Sequence, residues 1–322
     1  MSSCSIVIRC YNEEQHIGKL LKGISEQDFT DYEIIIVDSG STDATLAIAT
    51  QYPVKVVSIK PSEFTFGRSL NLGCQAATGD YIVIVSAHVY PLYSDWLSNL
   101  IAPFEDPQVA LTYGRQQGNE QTKYSEHQVF AKWFPLTSNF NQTTPFCNNA
   151  NAAIRRSLWT KNPYDESLTG LEDLDWGKQA QKLGYKLAYV ADASIVHVHE
   201  ETPARICNRY RREAIALKRI LPEERFYFTD FLRLFFGNVI SDYYHAWHDG
   251  MLPKKGGEII MFRLMQFWGT YQGYRDRINN QLREKFYYPN GLKRTQLTPR
   301  KQAYAINYAK ASLKEKQLEQ NY

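Results

Sequence analysis

No run of 18 apolar residues occurs anywhere in the 322-residue sequence, so no segment is expected to span a bilayer. The N-terminus lacks a basic stretch leading into an apolar core. Ser5 to Cys10 is strand-like and too short for a signal peptide, so none is expected. Cysteine is scarce: Cys4, Cys10, Cys74, Cys147 and Cys207 are scattered without paired spacing. That pattern predicts no zinc cluster and suits a reducing cytosol better than a disulfide scaffold. An excess of either charge is lacking too, with 37 Lys and Arg against 34 Asp and Glu. At a net charge of +3, the chain as a whole is not expected to be an electrostatic nucleic-acid binder. There is no internal repeat and no low-complexity tract.

What is present is enough apolar material for a large core, with about two domains as the length expectation. The chain is organised around Gly79 to Pro91, GDYIVIVSAHVYP. A short run rich in Val and Ile, Tyr81 to Val85, reads as a buried parallel strand. It stops on Ser86, Ala87 and His88. Ser5 to Cys10, Tyr32 to Val37 and Val54 to Ile59 read as further strands. Helical spacing follows the first at Ile17, Leu20, Leu21 and Ile24, and Arg68 to Ala77 looks helical. Strands alternating with helices predict an α/β fold with a doubly wound, mostly parallel sheet flanked by helices. Polar residues leave three strand ends, at Tyr11–Glu13, Asp38–Asp43 and Ser86–His88. In such a sheet they converge on one ligand crevice.

The rest of the chain is less regular. Trp96 to Phe104 reads as a helix and Val109 to Tyr113 as a strand. Gln116 to Thr144, polar with weak periodicity, reads as an irregular or mobile segment over the site. Thr169 or Gly170 is expected to open a helix carrying Glu172, Asp173 and Asp175 in its first turn, with Gly184 ending it. Tyr185 to Val190 and Ser194 to Val198 read as two final strands. A basic helix is expected over Pro203 to Leu221. From Phe226 to about Arg277, two amphipathic helices are expected as a C-terminal extension. Phe231, Leu234 and Phe235 form one apolar face, and Leu264, Phe267 and Trp268 another. These faces suit a membrane surface, packing on the catalytic domain, or a homo-oligomer. Roughly 35 final residues look polar and extended or loosely helical. The expected organisation is a sheet domain over 1–221, with halves 1–115 and 116–221, and an extension over 222–322.

Several stretches together resemble glycosyltransferase family 2, which has the GT-A fold. SIVIRCYNEE is similar to the family's opening strand and turn, and IIIVDSGSTDAT to its VDDGSTD turn. FGRSLNLGCQAATGDYIVIVSAHVYP is similar to the segment carrying Arg-Asn, GDY and Asp-x-Asp. GLEDLDWGKQAQKLGYKLAYVADASIVHVH is similar to its ED helix and the strands beyond. The match covers about residues 4 to 215. The FTFGRSLNLG variant and the late segment are most similar to bacterial rhamnosyltransferase-like members.

The resemblance implies an inverting sugar transferase. It would use a nucleotide-sugar donor and a glycan or lipid-linked acceptor in surface polysaccharide synthesis. It would work in the cytoplasm or peripherally on the inner face of the cytoplasmic membrane. It implies donor contacts from Tyr11, Glu13, Asp38, Arg68, Asn71, Ser86 and His88. Glu13 also suits a first-turn helix acid, and Asp43 suits an N-cap. The pair Glu172 and Asp173 would be catalytic, with Asp173 as the base. Metal contacts would come from His88, His197 and His199. The expectation is that only one of His197 and His199 faces the site. The implied cofactor is a divalent cation, Mn²⁺ or Mg²⁺. The family's Asp-x-Asp reads Ser86-Ala87-His88 here, one carboxylate short, which predicts weak metal dependence. The rival class is a non-catalytic nucleotide- or glycan-binding module on the same fold, and the intact Glu172–Asp173 pair argues against it. A nucleotidyltransferase would want a Gly-rich basic phosphate loop, which YNEEQHIG is not.

Overall fold

The computed structural model describes residues 3–274 together with Ala305, Ile306 and Tyr308. The polar tail and Arg277 lie outside the described residues. Eight strands form one mixed sheet: β1 (Cys4–Cys10), β2 (Tyr32–Asp38), β3 (Val54–Ser58), β4 (Tyr81–Ser86), β5 (Val89–Pro91), β6 (Val109–Gln117), β7 (Asn151–Arg155) and β8 (Lys186–His197). Their order is β3-β2-β1-β4-β7-β6-β8-β5. The first half, β3 to β4, is parallel. β7 then runs antiparallel to both β4 and β6, and β5 runs antiparallel to β8. The helices are α1 (Ile17–Ser25), α2 (Thr45–Ala49), α3 (Phe66–Ala76), α4 (Trp96–Ile101), α5 (Tyr124–Trp133), α6 (Arg156–Trp159), α7 (Glu172–Lys182), α8 (Pro203–Ile220), α9 (Phe228–His248) and α10 (Leu252–Gly273).

The strands are apolar on both faces because both faces are covered. Successive side chains alternate sides. Ile6 and Ile8 of β1, Ile34 and Ile36 of β2, and Val83 and Val85 of β4 pack on α1 and α4. Val7, Ile35, Val37, Ile82 and Ile84 pack on the other side with α3, α5 and α7. A third helical layer, α8 to α10, closes over Leu168 and Leu174. Its helices approach closely: a Cβ on Gly269 would lie 2.2 Å from the Cys207 carbonyl oxygen. This core joins Ala214 and Leu217 to Phe226, Phe231 and Phe267, so it runs unbroken across residue 221.

Three elements differ from the sequence expectation. Gln116 to Thr144 is not irregular throughout, because it contains α5. The two final strands are one continuous strand, β8. β7, within Cys147 to Trp159, is an antiparallel strand that the periodicity does not show. Of the three uses open to the two apolar faces of the extension, the structure takes packing on the catalytic domain. Phe231, Leu234 and Phe267 are buried, with Phe235 and Leu264 packed beside them.

Candidate active site

The strand ends open on one cleft. Its lining includes Arg9, Tyr11, Glu13, Ser39, Phe66, Ser86, His88, Asn149, Glu172, Asp173, His197, His199, Arg209 and Arg212. Two loops entering it are strained. Among the described residues only Asn12 (φ 55°) and Leu171 (φ 56°) are non-glycine residues with positive φ. Asn tolerates this region, whereas Leu pays roughly 1–2 kcal/mol for it. Leu171 immediately precedes Glu172 and Asp173, so the strain sits where the acids are aimed.

Asp173 is buried on the first turn of α7. Its Oδ2 accepts the Asn149 backbone N–H at 2.8 Å, and its Oδ1 accepts that of Leu174 at 2.8 Å. Burial raises its pKa and the Glu172 charge adds to this; these outweigh the amides, and the carboxyl is raised to about 7. Glu172 is buried and ion-paired to Arg9 at 3.1 Å. Arg9 and Arg212 both lie over the Phe66 ring, at 5.4 and 4.8 Å from its centroid. Arg212 acts on the neighbouring Glu213 carboxyl through its charge, and its Nε is buried without a hydrogen bond.

Three histidines meet beside this. The His197 and His199 ring centroids lie 4.0 Å apart, and those of His88 and His197 5.1 Å apart. Both His197, the last residue of β8, and His199, two residues beyond it, face the cleft, correcting the expectation of one: along extended backbone, side chains two apart share a face. Each ring is fixed through Nδ1. His88 meets Glu13 Oε1 at 2.9 Å, His197 meets Gln116 Oε1 at 2.7 Å, and His199 meets Glu126 Oε1 at 2.7 Å. That leaves each Nε2 available, and the His197 Nε2 is buried without a partner. Burial, then the two neighbouring imidazoles, hold the His197 pKa well below the ordinary value, so the ring is neutral. Oxygen partners on Nδ1 are how ligating imidazoles are oriented, and one nitrogen from each ring lies within 4.8 Å of the others. The set fits a divalent transition ion. It fits Mg²⁺ poorly, because that ion wants oxygen ligands. A second group, Glu126, His199 and Glu201, lies as close, but Arg209 pairs both its carboxylates, at 3.0 and 2.7 Å. Glu126 is buried, which raises its pKa, yet His199 and Arg209 outweigh this and hold it at about 2.

The other expected site residues are placed as follows. Tyr11, Glu13, Ser86 and His88 line the cleft, with Tyr11 exposed. Asp38 is buried, and its carboxylate accepts the Gly40 and Ser41 backbone N–H groups, so it builds the turn. Ser39 lines the cleft instead. Arg68 lies outside the lining, 3.7 Å from Glu63 and 3.5 Å from Glu166. Asn71 is also outside. Its amide donates to the Tyr164 carbonyl and accepts from Tyr164 N–H and Trp159 Nε1, which clamps α3 to the loop before α7.

Asn149, Arg9, Phe66, Gln116 and Glu126 were not singled out by the sequence. Arg9 had a signal, being a charge within an apolar strand. Asn149 had none. Its side chain is buried in the cleft wall next to Asp173, yet neither amide atom has a partner. An unsatisfied buried amide costs stability unless a ligand meets it. Asn149→Ala is therefore expected to lower kcat/KM by about tenfold, mainly through KM, while the melting temperature holds or rises. A drop in melting temperature with unchanged kinetics would make Asn149 structural.

Comparison with known proteins agrees with this fold. Residues 5–161 match the family model "Glycosyl transferase family 2". The O-antigen chain rhamnosyltransferase WbaN of Salmonella anatum is 28% identical over 222 residues, covering 65% of this chain and 70% of that protein. RfbN of Salmonella typhimurium, also an O-antigen chain rhamnosyltransferase, is 27% identical over 219 residues, covering 64% and 69%. The solved structure of the mannosyltransferase PcManGT from Pyrobaculum calidifontis, in complex with GDP-Man and Mn²⁺, aligns with a TM-score of 0.57. At 19% identity, over 84% of this chain and 87% of that one, it speaks for the fold. With the sheet order, the ED helix and these matches together, residues 5–161 carry a glycosyl transferase family 2 region.

Proposed function

We propose that the protein is an inverting glycosyltransferase that moves a deoxyhexose from a nucleotide sugar to a hydroxyl of a glycan or lipid-linked acceptor. The names of the two Salmonella relatives support a rhamnosyl-type donor and a role in surface polysaccharide synthesis. A lipid-linked acceptor would be met at the inner face of the cytoplasmic membrane. The observation that carries the proposal is one cleft holding Asp173, the three-histidine cluster and Arg212 together. Asp173 accepts the acceptor hydroxyl proton as that oxygen attacks. Arg212 supplies positive charge for a leaving diphosphate. Glu172 balances Arg9 and keeps it beside Phe66. His88, His197 and His199 would hold a divalent transition ion, Mn²⁺ among them. When bound, such an ion adds charge stabilisation on the diphosphate.

Calorimetric titration with UDP, dTDP, GDP and CMP sugars, with and without Mn²⁺, tests the donor assignment. A dTDP- or UDP-linked deoxyhexose is expected to bind best and to be hydrolysed slowly without acceptor. Absence of binding by every nucleotide sugar would overturn it. Ser86 lacks the carboxylate of the family motif, so chelator is expected to lower turnover only in part. Mn²⁺ should restore it and Mg²⁺ should not. His197→Gln is expected to weaken Mn²⁺ binding by about 10- to 100-fold. Mn²⁺ affinity unchanged in that variant would remove the histidines from the metal assignment.

A further inference from the structure

Helix α9 is apolar on two faces, and only one of them is packed. Phe231 and Leu234 turn into the core. Phe228, Leu232, Phe236, Ile240, Tyr244 and Trp247 form a second stripe at steps of four and three residues, and all are exposed. Phe236 is 56% exposed, Ile240 68% and Trp247 73%. The stripe runs about 28 Å along the helix. Single exposed apolar side chains are ordinary, but a continuous row of six marks an interaction surface. Ile260 and Trp268 of α10 are also exposed.

Charge decides what covers it. The two carboxylates of α9 are both withdrawn from this face. Asp230 is buried and accepts the Tyr227 backbone N–H at 3.0 Å. Asp242 is buried against Arg263 and the Ser125 hydroxyl. Arg233, 3.1 Å from Asp230, and His248 remain exposed on α9, and Lys254 is exposed at the start of α10. Asp249 is the one exposed carboxylate between Phe226 and Glu258. It lies beyond the stripe and accepts the Tyr124 hydroxyl. No helix of the described residues is long and apolar enough to cross a membrane.

We infer that the exposed face of α9 docks on an anionic lipid surface. The helix lies in the headgroup layer, with Phe236 and Ile240 at its apolar centre and Trp247 at one end. Aromatic and aliphatic side chains enter the acyl boundary while basic groups meet lipid phosphates. A face cleared of carboxylates suits a negative surface. The inference rests on the lipid-linked acceptor proposed above only for its purpose, because vesicle binding is scored without turnover.

The test is flotation of the full chain with vesicles of phosphatidylcholine, with and without phosphatidylglycerol. The wild type is expected to float with the anionic vesicles, less with the neutral ones, and less in high salt. Phe236→Glu with Ile240→Glu is expected to cut partitioning roughly a hundredfold. Its melting temperature and its hydrolysis of nucleotide sugar should not change, since both side chains point to solvent. If the wild type stays soluble with both vesicle types, the inference fails. It fails also if the double variant binds vesicles as well as wild type. An oligomer in sedimentation that the double variant turns into monomer, without vesicle binding, assigns the stripe to a second copy instead.

Discussion

Asp173→Asn is expected to lower turnover by about two to four orders of magnitude while leaving donor affinity within a few-fold of wild type. The carboxylate is at the cleft wall on the first turn of α7, and each oxygen spends one lone pair on a backbone N–H. A further lone pair remains for an acceptor hydroxyl. An amide cannot take that proton. The amide also sets an NH₂ group against one backbone donor, at about 1–3 kcal/mol, so thermal unfolding and donor binding are measured beside turnover. The pH dependence has a definite sign. Burial, with Glu172 adding, raises the Asp173 carboxyl to about 7, and the base works only when ionised. Turnover therefore rises as pH climbs through about 7 and falls away below it. The same shift opposes stability at high pH, because the fold favours the protonated acid. Wild-type turnover in the asparagine variant, or a pH profile flat between 6 and 8, would remove Asp173 as the base.

The first half of this glycosyltransferase was legible in its sequence for a simple reason. Ile6, Ile36, Val83 and their neighbours are buried on both sheet faces, so the strands appear as unbroken apolar runs. The strand ends then follow, and with them Glu13, Ser86 and His88. The later half was less legible because polar side chains are buried there. In α5, Ser125 and Glu126 face inward, one bonded to Asp242 and the other to His199 and Arg209. Inward polar groups erase the helical period, so α5 reads as a loop. Asn151 does the same to β7. It is fully buried, taking the Trp96 indole N–H and donating to the Ala193 carbonyl, in a strand whose composition does not favour one. The donor assignments for Arg68 and Asn71 came from family resemblance alone. Neither type of residue announces that it has protein partners, Glu166 and Tyr164, outside the cleft lining. In α9, two apolar faces overlap in sequence, and only packing tells which one is spent.

Arg263→Ala is expected to cost about 3–5 kcal/mol of stability, the typical loss when one partner of a buried ion pair is removed. Arg263 and Asp242 are almost wholly buried. The guanidinium meets both Asp242 oxygens, at 2.7 and 2.9 Å, and also reaches Gln266 at 2.8 Å and the Ser125 carbonyl at 3.3 Å. The Ser125 hydroxyl closes the group by donating to Asp242 at 2.6 Å. One cluster thus ties α5, α9 and α10 together. Removing the arginine strands the Asp242 charge, and urea unfolding should show the midpoint fall. Arg263→Met combined with Asp242→Leu should recover most of the loss, since removing both charges leaves nothing unpaired. Single and double variants of equal stability would show that the pair carries no such coupling. The effect should reach the cleft, because α5 also carries Glu126, which orients His199 and holds Arg209. Donor affinity in Arg263→Ala is therefore expected to fall before global unfolding begins. For the same reason a chain ending at residue 221 is expected not to fold stably. Without α9 and α10, Ser125 loses its partner and Leu217 loses Phe231 and Phe267. The C-terminal helices are a wall of the catalytic unit on one face, while the opposite face of α9 stays exposed.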